Sequence, residues 1–307
     1  MRRIAIIPCA AVLVVCGACK SEGEAVVASQ SEGDGPALEI VGEPELFAPG
    51  IASTEQSEVR LTLSPDGRAA LWFSRNRPGG PGDYDIWISR RKGAQWQAAT
   101  PVSFNSSTRD FDPAFSADGQ FVYFCSNRPR GHGGDDLYRV VVSADGFGEP
   151  ENLGPAVNSA GNEFAPMLSA DATVLLFSSD RAGGAGKQDL YTAPHRNGEF
   201  EAAQPVPGRI NTAGDEFDAT FLGDSTTLVF ARAPDLRTAR IDLFVATRRD
   251  GRYDAGTLLS RAVNHAEKDT YGPMLDWSVP GTLTYSARRE DGRDMDLYRV
   301  RYRLAGK

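Results

Sequence analysis

Cysteine and histidine are scarce: the 307 residues hold four of the first and three of the second. Cys9, Cys16 and Cys19 crowd at the N-terminus, leaving Cys125 alone in the remainder. One cysteine builds neither a disulfide framework nor a thiolate zinc site. Long apolar runs are also lacking. The run Ile4 to Val15 has twelve residues, where a membrane-spanning helix needs about 20. Positive charge is in deficit, with 33 Lys and Arg against 41 Asp and Glu, a formal net charge of -8. That balance argues against nucleic acid, whose phosphates demand basic patches. Apolar residues are not in short supply, since 41% hydrophobic content with 9% aromatics suffices for a packed core and excludes wholesale disorder.

The N-terminus has the layout of an export signal: a basic start with Arg2 and Arg3, the apolar run, then small residues before Cys19. Residues 1–18 are expected to be a signal peptide. Cys16-Gly17-Ala18-Cys19 resembles a bacterial lipoprotein box, which implies lipidation of Cys19. With Lys20 rather than Asp after it, the resemblance implies the periplasmic face of the outer membrane. Cys16 stands where that family usually has Leu, which leaves a soluble periplasmic or secreted product as the alternative. Removing Arg2 and Arg3 takes the charge from -8 to -10. Residues 19–43 are rich in Ser, Glu, Gly and Ala without apolar periodicity and read as a tether. Residues 44–307 are expected to form one domain, beginning near Glu45.

That domain repeats. Asn105, Asn158, Asn211 and Asn264 are each 53 residues apart. Asp110, Glu163, Glu216 and Asp269 keep the same spacing, with Glu58 in register ahead of them. Ser-Pro-Asp-Gly at 64–67 recurs as Ser-Ala-Asp-Gly at 116–119 and Ser-Ala-Asp-Ala at 169–172. Each unit then has an aromatic-ended apolar run, a glycine-rich or charged loop, and an Asp-apolar-aromatic triplet from Asp85-Ile86-Trp87 to Asp296-Leu297-Tyr298. Strand-forming segments separated by Asp-Gly and Gly-Gly turns predict four strands per unit, for example Val59 to Leu63, Ala69 to Ser74, Asp85 to Arg90 and Gln95 to Ser103. Four-stranded units repeated radially make an all-β propeller. The 265 residues from 42 to 306 hold five periods of 53, so five blades are expected, with six as the alternative. The last unit ends after its third strand near Arg303, and Glu45 to Ile51 is expected to supply its fourth, which removes an open sheet edge.

The run Asp110-Phe111-Asp112-Pro113-Ala114-Phe115-Ser116-Ala117-Asp118-Gly119, followed by Phe124-Cys125-Ser126-Asn127-Arg128-Pro129, resembles the TolB-like propeller repeats of bacterial envelope proteins. The resemblance implies a periplasmic location and the propeller fold. It implies little about function, because propellers host many activities.

Strand parity puts Glu58, Asp110, Glu163, Glu216 and Asp269 on one face of such a propeller, with the glycine-rich loops. A ring of carboxylates at the channel mouth would attract a cation or a basic peptide. The competing expectation is that each acid pairs with an arginine, such as Arg77, Arg128, Arg181, Arg232 or Arg288, and locks neighbouring blades. The Ser-x-Asp-Gly segments read as tight turns rather than calcium loops, and the aspartates of the triplets as loop closers. Trp87, Tyr138, Tyr191, Phe244 and Tyr298 read as blade packing rather than a sugar platform. His132, His195 and His265 fall at unrelated landmarks. No metal, cofactor or catalytic set is expected. The favoured function is a non-catalytic scaffold binding a protein or peptide partner. A glycan- or peptidoglycan-binding propeller is the alternative, and a glycoside hydrolase, which needs two carboxylates in different environments, is the remaining one.

Overall fold

The computed structural model describes residues 38–288 and 294–304. Residues 1–18, the lipidation candidate Cys19 and most of the expected tether lie outside these. Five antiparallel sheets form a five-bladed β-propeller. The inner strands are Glu58–Leu63, Asp110–Phe115, Glu163–Leu168, Asp215–Phe221 and Thr270–Leu275, numbered here as blades 1 to 5. In blade 5 the order from the outside is Leu38–Leu46, Met295–Leu304, Thr282–Arg288, Thr270–Leu275. The N-terminal strand therefore closes the ring, as its sequence position implied. It starts ahead of Glu45, because Leu38 is buried between blades 4 and 5 and Ile40 packs beside it. A fourth strand is not continuous in blades 1 to 4. In blade 1 it is two short pairings, Gln95–Trp96 and Thr100–Pro101, both against Tyr84–Lys92. Between them Gln97 leaves the ladder, donating its N–H to Arg90 O while its own carbonyl accepts the Ser89 hydroxyl.

Each inner strand carries a bulge two residues from its start, or three in blade 4, where the ladder skips between Val59 and Thr62 and at the four matching places. The bulged residues, Arg60, Asp112, Ala165, Asp218 and Gly272, all have positive φ, from 47° to 64°. Glycine takes that conformation freely, aspartate tolerates it, and arginine and alanine adopt it at a cost. A bulge frees an inner-edge N–H from the ladder. Asp112 Oδ2 accepts that of Ala165 and Asp218 Oδ2 that of Gly272, each at 3.1 Å, so one blade satisfies the next.

The recurring asparagines are clasps. Asn105, Asn158, Asn211 and Asn264 each accept the N–H and donate to the carbonyl of one third-strand residue: Ile86, Leu137, Leu190 and Leu243. In blade 5 Ser53 does this to Leu297. Asn158→Ala should lower the unfolding free energy by about 1–3 kcal/mol, since it strands buried backbone groups of Leu137. Urea unfolding would register the loss as a lower midpoint at unchanged slope; an unmoved midpoint would mean that solvent replaces the clasp. The Ser-x-Asp turns close on themselves, with Ser64, Ser116 and Ser169 hydroxyls donating to Asp66, Asp118 and Asp171 at 2.6 Å.

Candidate functional site

Four of the five recurring acids are sealed. Glu58, Asp110, Glu163 and Glu216 are fully buried, and the guanidinium groups of Arg77, Arg128, Arg181 and Arg232 lie 2.5–3.3 Å from them. A hydroxyl from Thr54, Ser106, Ser159 or Thr212 donates to the same carboxylate. The arginine also donates to a carbonyl just ahead of the clasp, for instance Arg128 to Phe104 O at 3.0 Å and Arg181 to Val157 O at 2.6 Å. Its flat face covers the third-strand aromatic, at 4.4 Å from the ring of Trp87, 5.1 Å from Tyr138, 4.6 Å from Tyr191 and 4.8 Å from Phe244. Acid, arginine and aromatic belong to one blade, and the carbonyl contact ties them to the connection from the blade before, so these acids offer no free carboxylate to a partner. The aromatics pack under arginine rather than forming a platform.

Asp269 is not their equivalent. The register pairs Glu163 with Ser179 and Glu216 with Arg232, but Thr270 with Ala287. One extra residue after Asn264 shifts the chain, so Thr270 takes the buried place and Asp269 the one before it. There Asp269 Oδ1 accepts the Ile241 N–H at 3.2 Å, as Asn162 Oδ1 accepts that of Asp135 at 3.0 Å. Arg288 approaches Asp269 at 3.4 Å in a solvent-exposed pair. A five-membered carboxylate ring is thus absent among the described residues.

The aspartates of the triplets close loops. Gly82 N–H donates to Asp85, His132 and Gly133 to Asp136, and Gly186 to Asp189. A Cβ on Gly80 or Gly184 would fall 2.0 Å from the carboxylate it wraps, which explains the glycines. His195 Nδ1 lies 2.8 Å from Ala172 O, and its ring packs on Phe200.

Two features escaped the repeat. The first is a charged cluster at the axis, built from the bulge residues. Arg60, with no exposed surface, places Nη1 3.9 Å from Asp218 Oδ1 and donates from Nη2 to Pro166 O at 3.1 Å. Burial, then the neighbouring Asp218 carboxylate, pushes Asp112 up to about 8, while Arg60 pulls it back. Burial also raises Asp218, again opposed by Arg60. Cys125 lies in the same interior, and burial holds its thiol well above the usual range. The second feature is a cavity of about 300 Å³ at the junction of blades 3 and 4, on the face where the inner strands begin. Its lining includes Asp180, Lys187, Gln188, Asp215, Asp235 and Arg237. Neither could be found by looking for recurrence, because at each place the blades differ.

No family profile matches the chain, and no curated protein does. Solved structures match over about four fifths of it. TolB from Acinetobacter baumannii is 13% identical at a TM-score of 0.46, over 80% of this chain and 54% of that one. This chain therefore spans about half the length of that TolB. An endo-arabinase from Bacteroides thetaiotaomicron is 11% identical at 0.57, over 82% and 96%. An α-L-arabinofuranosidase from Lactobacillus brevis is 10% identical at 0.51, over 80% and 90%. The endo-arabinase and the arabinofuranosidase, at TM-scores above 0.5, share the fold of this chain, and at 10–11% identity they show no more than the fold.

Proposed function

We propose that this chain is a non-catalytic propeller of the cell envelope that binds a protein or peptide partner on the face where the inner strands begin. The observation that carries the reading is the sealing of Glu58, Asp110, Glu163 and Glu216 by arginine, which commits the recurring polar residues to architecture. What remains to vary between blades is the loop set of that face, and loops on a rigid scaffold are where binding resides. Arg130 and His132 are exposed in the blade 2 loop of that face. The envelope location rests on the export signal and the lipoprotein-like Cys19.

The enzymatic alternative borrows from the arabinan-type enzymes that share the fold. A glycosidase needs two solvent-reachable carboxylates with different proton affinities. Asp112 and Asp218 differ in surroundings, but they are 5% and 6% exposed and both hold backbone N–H groups. The test uses the mature chain as bait in envelope extracts, beside a variant carrying Arg130→Ser and His132→Ser, with captured proteins purified and rebound singly. Direct rebinding that the variant weakens, without sugar release from arabinan or peptidoglycan, is the expected result. Sugar release abolished by Asp112→Asn or Asp218→Asn would replace this reading with the enzymatic one.

A further inference from the structure

The cavity between blades 3 and 4 differs from its counterpart one blade back in a way that names a ligand. In blade 2, Asp135 precedes the third strand, and Arg109, just ahead of the inner strand, donates to both its carboxylate oxygens at 2.9 Å. Fifty-three residues later the acceptor is Gln188 and the donor position is Asn162. Asn162 is too short to repeat the contact and instead donates to Asp180 from its backbone N–H and its amide, each at 2.6 Å. Gln188 Oε1 is left buried without a hydrogen-bond partner among the described residues.

A second acceptor joins it. Asp215 opens the inner strand of blade 4, bridged in parallel to Gln188. Its carboxylate is buried: the residue is 1% exposed, Oδ2 accepts the Leu236 N–H at 2.8 Å, and Oδ1 has no hydrogen-bond partner among the described residues. Buried acceptors are normally satisfied, and a carboxylate oxygen most of all. Lys187 does not serve, because its ammonium pairs with Asp235 at the exposed rim. The lining thus combines two orphan acceptors, the further acceptor capacity of Asp180, the Lys187–Asp235 pair at the mouth, and Arg237.

We infer that this cavity binds a guanidinium group, held by Asp215 and Gln188 as Arg109 is held by Asp135 in the preceding blade. Three carboxylates, Asp180, Asp215 and Asp235, outnumber Lys187 and Arg237 in the lining, which favours a cation over an anion. A metal ion is disfavoured because no three His, Cys, Asp or Glu side chains among the described residues gather as ligands. A planar cation with five donors satisfies several separated acceptors at once, and about 300 Å³ is the lower end of small-ligand sites, sufficient for one such group. An arginine of a partner and a free guanidine share this chemistry. The inference rests on the proposed partner-binding face only for the first of these sources.

The experiment is calorimetric titration of the mature chain with Nα-acetyl-argininamide, with agmatine, and with Nα-acetyl-citrullinamide as the uncharged isostere. Both cations should bind and the isostere should not. Asp215→Asn, which keeps the shape and an acceptor for Leu236, should weaken binding about tenfold or more. Gln188→Glu should tighten it, and Gln188→Leu serves if Asp215→Asn lowers the melting temperature. Tighter binding of the argininamide points to a partner's side chain, and tighter binding of agmatine to a free small cation; either supports the site. No binding by the unaltered chain up to about 10 mM, or equal binding by the Asp215→Asn and Gln188→Leu variants, overturns it. A captured protein partner held equally by Asp215→Asn would leave the scaffold reading standing while excluding this cavity from it, whereas guanidine binding without any partner would do the reverse.

Discussion

Arg181→Ala should lower the unfolding free energy by about 3–5 kcal/mol, the loss expected when one member of a buried ion pair is removed and the other is left without compensation. Glu163 has no exposed surface, and Arg181 is the cation beside it. The same guanidinium donates to Ser179 Oγ at 2.9 Å and covers Phe177 and Tyr191, so the substitution also uncovers ring faces at the blade junction. Arg288→Ala is the internal control. Its partner Asp269 lies one place out of register, and the two side chains are 47% and 27% exposed, so the loss should stay within about 1 kcal/mol. Arg181→Lys should fall between, because an ammonium keeps the charge without the fork or the flat face. Equal losses for Arg181→Ala and Arg288→Ala in urea unfolding would contradict the lock. They would return Glu163 and its counterparts to the pool of available carboxylates.

The lock was legible in the sequence because both of its halves recur. Acid and arginine appear in every unit at nearly constant separation, and a repeat protein multiplies any pairing built into its unit. The third-strand aromatics were legible for the same reason. Asp269 was misplaced by that same method. Its spacing of 53 from Glu216 is perfect, yet one added loop residue moves the whole strand by one, and a one-residue slip exchanges the faces of a strand. The N-terminal strand was placed too late, at Glu45 to Ile51 instead of Leu38–Leu46, because three glutamates, a glycine and a proline fill most of residues 39–45, and only Leu38, Ile40 and Val41 ahead of them hint at a buried side. The axis cluster was invisible. Its five positions read Arg60, Asp112, Ala165, Asp218 and Gly272, alike only in the positive φ of the bulge. Backbone sameness with side-chain variety leaves no trace in a search for recurring letters. The cavity between blades 3 and 4 was hidden likewise, since it exists where Arg109 and Asp135 give way to Asn162 and Gln188.

The axis cluster has the other large expected effect, which is on the pH dependence of stability. Asp112 ionises near 3.8 when unburied and near about 8 in the folded chain. Between those values the folded state keeps a proton that the unfolded chain has released. Stability must therefore fall as pH rises through this window, by at most about 1.4 kcal/mol per pH unit from this one group. The favourable contribution is complete below the unfolded value and is lost by the time pH passes the folded one. Asp66 and Asp171, whose hydroxyl and backbone donors hold them below the ordinary value, act only at lower pH and leave the window clear. Asp85, Asp135 and Asp218, raised by burial, add slopes of the same sign. Asp112→Asn should remove one group's share, because asparagine tolerates the positive φ and its amide oxygen still accepts the Ala165 N–H. The variant should match or fall below the unaltered chain at pH 5 and exceed it at pH 8. Asp218→Asn should behave differently: it takes away the carboxylate nearest Arg60 and leaves that buried guanidinium, whose Nε and Nη1 already lack hydrogen-bond partners among the described residues, without its counter-charge. It should lose stability at every pH. Urea midpoints for the three proteins from pH 5 to pH 9 separate these outcomes. Parallel curves for Asp112→Asn and the unaltered chain would mean that Asp112 is ionised throughout, held as the second carboxylate of Arg60 rather than as a buried acid.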